Sequence, residues 1–474
     1  MAVSVTYRLN IFGFGASSDI LAAQDPVTTG GLNFGLRDQK VALEWISRNI
    51  SAFGGDPDRV TLGGQSAGSV STHTHLRETT CAVGSPFRKA PLFRRVLLHS
   101  GTLGTLGPSA LADREPGWKR MYEALFGPGT YDMSSPKQRV ARLREVPASL
   151  LLTASKSING EVFPVVSDGI TVTELSSYLD APSQLAVDLG PVDLRNLPGR
   201  SPSKGIDVLI GVTDLEVKCA QTLKSEDLAL NEIEAKFEAA CGNAALCAEL
   251  LQSYGLTSSA TSEELKQGLM MLMSDAMFEV PFHVTGKALR DQQQVGAIGQ
   301  IQAFHVKTGN PFPGPFEGVA HHCVELIYLF EAFHDAFVEA DNGNARPYTD
   351  PSEEFLKVQK VTEVNGTITP PKVQDETLVA VTADKVGTTD AIAYKRTNIE
   401  LSHAMQDFWL DFITTDDWVA PGGPESVFVF GKDRGSEMEN TADNPDWQKR
   451  RQRWDLLASD PETMSRLCNT IRQG

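Results

Sequence analysis

The sequence contains no run of eighteen apolar residues, so by hydropathy it holds no membrane-spanning helix. Cysteine is scarce. Six residues in 474 (Cys81, Cys219, Cys241, Cys247, Cys323 and Cys468) are too few for a disulfide framework, and none has zinc-ligand spacing. Cys241 and Cys247 suit a bridge in a secreted protein and equally suit two packed helical cysteines. Positive charge is short as well. With 43 basic against 60 acidic residues the net charge is -17, which opposes nonspecific binding to nucleic acid or to an anionic membrane. There is no internal repeat and no low-complexity tract. What is present, 41% hydrophobic and 22% charged, is an ordinary globular composition, and one large α/β domain over residues 1–474 accommodates the length.

No signal-peptide pattern opens the sequence, which leaves the compartment unassigned. Met1 leads directly into AVSVTYRL, an alternating, β-rich run, so residues 2–9 are expected as a strand. A glycine-broken loop follows, then a rough helical stripe of Leu36, Val41, Leu43, Trp45, Ile46 and Ile50. Val60, Thr61 and Leu62 form a short buried-strand pattern that runs into Gly64-Gln65-Ser66-Ala67-Gly68. This GxSxG, between a strand and a predicted helix over 68–75, describes a sharp turn that lifts a serine hydroxyl clear of a sheet. Glycine is expected at both flanks because backbone approaches backbone there. A tight glycine turn with an idle serine is the alternative.

Further buried strands are predicted at 93–98, 207–212 and 300–306, with helical segments over 110–152 and 225–290 that fold over one end of the sheet. Residues 341–392 turn polar and carry Pro347, Pro351, Pro370 and Pro371, which predicts a surface insertion or disorder. A helix over 401–413, a strand over 427–430 and an arginine-rich helix over 447–457 close the chain. Strands alternating with helices predict an α/β fold around a mostly parallel sheet.

A serine hydroxyl attacks well only when an imidazole takes its proton, and that imidazole needs a carboxylate to orient it. In α/β-hydrolases the chain order is serine, acid, histidine, each just after a strand. Two acids, Asp214 and Glu216, and two histidines, His321 and His322, stand in those places. Spacing alone does not choose among them. His73 and His75, at i and i+2, point apart on a helix and make a metal site unexpected, while His99, His305 and His334 read as structural.

The stretch FGGDPDRVTLGGQSAG, residues 53–68, resembles position by position the active-site serine signature of the type-B carboxylesterase family, the cholinesterase and fungal lipase group. VTYRLNIFGF, GLRDQKVALEWISRNI, LFRRVLLHSG and FPVVSDG resemble further stretches of that family, and the likeness runs to about residue 430 apart from the polar insertion. The resemblance implies an α/β-hydrolase fold with helical cap insertions, ester hydrolysis through an acyl-enzyme, and neither metal nor organic cofactor. It makes Ser66 the nucleophile, Glu216 the acid, through GVTDLE, and His322 the base, through HCVELIYLF, with His321 as the alternative base. Ser100, in HSG, takes a supporting role, and Arg8 and Asp38 a structural salt bridge. Val217 and Cys323 stand where the family has glycine.

The implied substrate is a small-molecule or lipid ester. Gln65 stands where cholinesterases and many relatives carry glutamate, and a neutral side chain beside the nucleophile disfavours a cationic choline ester. Lipase, general esterase and mycotoxin-type hydrolase stay open. A catalytically inactive, cholinesterase-like binding protein is the reading from another class.

One family element is missing. The oxyanion of ester hydrolysis needs backbone N–H donors; Ala67 supplies one, and the family draws the others from a glycine-rich HGGG loop that this sequence does not contain. The expectation is an N-terminally incomplete esterase whose sheet has a gap between the strand at 2–9 and the strand before Ser66. Losing such donors costs about a hundred- to thousandfold in rate each, so impaired activity is expected.

Overall fold

Strands that are apolar on both faces need covering from both sides, and the chain supplies a parallel sheet between two helical layers. The computed structural model describes residues 1–25, 30–80, 91–156, 163–172, 205–219, 230–240, 242–294, 296–345 and 394–460. Strands β1 (Thr61–Gln65), β2 (Arg95–His99), β3 (Ile206–Thr213), β4 (Ile298–Val306) and β5 (Ser426–Phe430) lie side by side in that order, all parallel. β6 (Ser436–Asn440) pairs antiparallel with β5 at the far edge. No apolar alternation marks SEMEN, and the pattern leaves β6 unpredicted.

All eight residues of β3 are buried. Their side chains alternate between two cores, as the period of two requires. Val208 and Ile210 join the core packed by α3 (Ser262–Ser274), α4 (Val280–Gln294) and α7 (Pro445–Ala458). Leu209 joins the opposite core, with Val324 and Tyr328 of α5 (Val324–Leu329) and Trp409 and Phe412 of α6 (Asn398–Thr414).

Between α3 and α4 the helix widens into a π-helical turn, Asp275–Glu279, where the Val280 N–H reaches back to the Asp275 carbonyl. Pro281 follows and has no N–H to give, so the α-helical ladder is already broken there.

The first expectation to fail is the strand at residues 2–9. That segment forms no strand and is largely exposed. Alternation suits a strand only if a neighbour offers its backbone groups, and among the described residues β1 is the sheet edge on this side. The segment is tied down instead through Arg8, whose guanidinium forms a two-pronged pair with Asp38 of α1 (Phe34–Asn49), at 2.8 and 2.7 Å. With no strand at 2–9, the sheet has no central gap of the kind expected among the described residues. α1 also buries a narrower stripe than predicted: Leu36, Leu43 and Ile46 face inward, but Val41 and Trp45 are 65% and 48% exposed.

No described helix is long and apolar enough to cross a membrane. Most of the polar stretch at 341–392, and Cys241, for which a bridge to Cys247 and simple packing are the alternatives, lie outside the described residues; Cys247 is buried with a free thiol.

Candidate active site

β1 ends at Gln65, and α2 (Ala67–Thr80) begins two residues later. The single residue between them, Ser66, takes φ 54, the left-handed region that most side chains avoid. Two hydrogen bonds hold it there: its N–H donates to the His99 carbonyl at 2.9 Å, and its carbonyl accepts from the Val70 N–H at 3.0 Å. A methyl group on Gly64 would lie 2.2 Å from the Gly68 backbone, which accounts for that glycine. Gly68 corrects the expectation of a crowded second flank, since a Cβ there meets nothing within 4 Å among the described residues. The other crowded glycine is Gly101, whose Cβ would sit 2.4 Å from the Ser66 carbonyl oxygen. It belongs to HSG, where the sequence singled out only Ser100. Ala67, as the first residue of α2, has an N–H that no carbonyl within the helix can reach.

The acid loop leaves the end of β3 and the histidine loop follows β4. A parallel bridge between Leu215 and His321 holds the two in register, and the Leu215 N–H donates to the Ala320 carbonyl at 2.9 Å. The next residue on each side is therefore Glu216 and His322. Their contact is direct: His322 Nδ1 lies 2.5 Å from Glu216 Oε2. The other carboxylate oxygen accepts from the Thr213 N–H at 2.7 Å, so Glu216, 2% exposed, has both oxygens engaged. The Phe278 ring packs 5.1 Å from the imidazole. Burial pushes the His322 pKa down, but the ring's hydrogen bonds to the Cys323 and Glu216 side chains outweigh it and hold the value up at about 10.

The two alternatives are engaged elsewhere. Asp214 lies 3.2 Å from His305 Nε2 and pairs with Arg450 of α7. Burial raises its pKa, and the His305 hydrogen bond and the Arg450 charge hold it well below the carboxylate range. His321 is pinned at both nitrogens, Nδ1 2.7 Å from the His322 carbonyl and Nε2 2.9 Å from the Asn310 amide.

His322 Nε2 faces the Gln65 amide nitrogen at 3.2 Å. Among the described residues no hydrogen bond joins the Ser66 hydroxyl to the ring. Ser100 is buried at φ 47, and its hydroxyl has no partner among the described residues. Cys323, in place of the family's glycine, takes φ 70 just before α5. Val217 is buried, with its N–H donating to Ser274 Oγ at 3.0 Å.

Sequence reasoning missed Phe278 and Gly101, and it gave Gln65 no contact with the base. No periodicity marks Phe278, because its position depends on the π-helical turn; the only local signal is Pro281.

A strand-turn-helix carrying serine, and an acid and a histidine after later strands of a mostly parallel sheet, define the α/β-hydrolase class. Solved structures agree on the fold. A Geobacillus stearothermophilus carboxylesterase, EST55, superposes with TM-score 0.57 at 21% identity, over 94% of this chain and 74% of that one. A PNB esterase gives TM-score 0.57 at 20% identity, over 94% and 72%. The sequence profile described as the Carboxylesterase family matches residues 1–377, and the chain belongs to that family. Among curated relatives, Lipase 1 of Yarrowia lipolytica is 23% identical over 358 residues, 75% of this chain and 60% of that protein. Lipase 5 of Diutina rugosa is 36% identical over 158 residues, 33% of this chain and 26% of that lipase. The chain thus matches less than two thirds of the length of either lipase.

Proposed function

We propose that the chain hydrolyses carboxylic esters through an acyl-enzyme, with Ser66 as nucleophile, His322 as base and Glu216 as the acid that orients the ring. The observation that carries this reading is the Glu216–His322 contact, made across 106 residues of sequence and directed at the turn that holds Ser66. Ser66 Oγ attacks the ester carbonyl carbon while Nε2 of His322 takes its proton. The carbonyl oxygen becomes an oxyanion against the Ala67 N–H. Collapse expels the alcohol, which takes the proton back from the ring, and water repeats the sequence on the acyl-enzyme. Nδ1–H stays with Glu216 throughout.

Turnover is expected to be weak. Ala67 is the one oxyanion donor this reading identifies among the described residues, and each missing donor costs about a hundred- to thousandfold. The ring must also exchange Gln65 for Ser66 before it can take the proton. Gln65 is neutral, which supports an uncharged small-molecule or lipid ester as substrate, and the lipase names of the relatives agree with that class. Ser100 lines the turn behind Ser66 without a proton-transfer role.

The engagement of Nε2 by Gln65 favours a second reading, a binding protein with an idle serine. A fluorophosphonate separates the two. A hydrolase gives a covalent adduct on Ser66, found by peptide mass spectrometry and absent in Ser66→Ala, together with slow ester hydrolysis. A folded chain that never labels defeats the hydrolase reading.

A further inference from the structure

Resting on the hydrolase reading, we infer that Gln65 is a positioning residue for the base, holding the His322 ring through Nε2 in either protonation state and parking it off Ser66 until substrate arrives. Nδ1 is taken by Glu216, and Nε2 is turned toward the end of β1. The group that meets it is the Gln65 amide at 3.2 Å. Gln65 is itself fixed, because it pairs with His99 across β1 and β2 and the next N–H, that of Ser66, donates to the His99 carbonyl.

A primary amide suits this place because it carries both a donor and an acceptor. Its NH2 donates to the lone pair of a neutral ring. A half-turn about its last torsion presents the carbonyl oxygen to an imidazolium instead. A carboxylate at position 65 accepts only, so it satisfies the charged ring and stabilises the form that is useless as a base. A thioether serves neither state well. Gln65 thus satisfies the ring in both states and favours the charged one far less than a carboxylate would, and Ser66 competes with it for Nε2.

Among the described residues the ring also has Glu216 beyond β3, and His321 and Cys323 on either side in the chain. Glu325 of α5 and Glu279, beyond Phe278 on the π-helical turn, lie further out. None of these is altered by a change at position 65.

The contact can be read without turnover by NMR titration of the full chain carrying ring-labelled histidine, with His322 identified among the nine histidines through His322→Gln. Gln65→Glu is expected to raise the ring midpoint by about one pH unit or more, and Gln65→Met to lower it, because a charged ring loses more than a neutral one when a polar partner goes. Midpoints that stay put in both variants, or move the same way, overturn the inference. The acid limb of fluorophosphonate labelling at Ser66 should follow the ring midpoint across the three proteins; a limb that ignores it also overturns the inference. If wild-type Ser66 never labels while the midpoints move as stated, the hydrolase reading fails and the Gln65 contact stands.

Discussion

The residues proposed for catalysis come from two differently built regions. β3, which leads to Glu216, is buried along its whole length and hydrogen-bonded to a parallel neighbour on each side. β1, which leads to Ser66, has four half-buried residues and one exposed, and its described pairing is with β2 alone. Charge follows the same division. Around the acid loop Arg450 joins Asp214 and Glu279, and Arg453 bonds Asp275 at 2.9 Å, all with little solvent access. On the serine side Lys40 of α1 pairs with Glu78 of α2, with side chains 27% and 22% exposed, and Arg8–Asp38 is more open still, at 52% and 27%. The base is therefore set by a rigid interior. The nucleophile rests on a margin whose geometry depends on a few glycines and two hydrogen bonds.

The largest expected effect tests the buried side. Glu216→Gln should lower kcat by about ten-thousandfold in a steady-state assay, by analogy with loss of the orienting carboxylate in other serine hydrolases. The same change should move the acid limb of kcat/KM to lower pH, because His322 must be neutral to act and Glu216 is one of the groups raising its pKa. The sign for stability is opposite to that of a paired carboxylate. A raised histidine pKa stabilises fully below about 6.5, and the contribution is lost as pH climbs toward about 10. Urea midpoints should accordingly fall more steeply across that window in the wild type than in Glu216→Gln.

Arg450→Met should cost about 3–5 kcal/mol in urea unfolding, since it removes the guanidinium shared by the buried Asp214 and Glu279 and leaves Asp214 with His305 and, at 3.9 Å, Lys432. A loss under 1 kcal/mol would break the contrast between the two regions. On the serine side, Gly64→Ala should cost roughly 1–3 kcal/mol and most of the Ser66 labelling, because its methyl meets the Gly68 backbone. Gly68→Ala should stay within about 0.5 kcal/mol of wild type, which a thermal melt can check. Arg8→Ala should have the smallest effect, about 1 kcal/mol or less, because its charge pair is half in water. If it matches Arg450→Met, the N-terminal segment matters as much as the interior.

The interior strands were legible because a strand covered on both faces has little choice but to be apolar. DVLIGV and QIQAFHV fall within β3 and β4. The strand expected at 2–9 had the alternation without a partner, and β6 had the partner without the alternation. Pattern reports what a side chain prefers, whereas pairing depends on which backbone lies alongside. At the site, chain order narrowed the acid to Asp214 or Glu216 and the base to His321 or His322. The contacts that separate each pair, the Leu215–His321 bridge and the Arg450 clamp on Asp214, join residues 106 and 236 positions apart. No local window contains them. Gly101, Phe278 and the Gln65 contact were missed for the same reason, since each acquires its part from a neighbour remote in the chain.

Arg450 and Arg453 also impose a timetable on biosynthesis. Asp214, Asp275 and Glu279 leave the ribosome long before the helix that neutralises them, α7, which is the last element described. Until that helix emerges and docks, the nascent chain holds three carboxylates with no arginine to receive them, and water is their better solvent. The wall behind Glu216 is therefore among the last parts of the protein to close, although β3 itself is translated before the chain is half made.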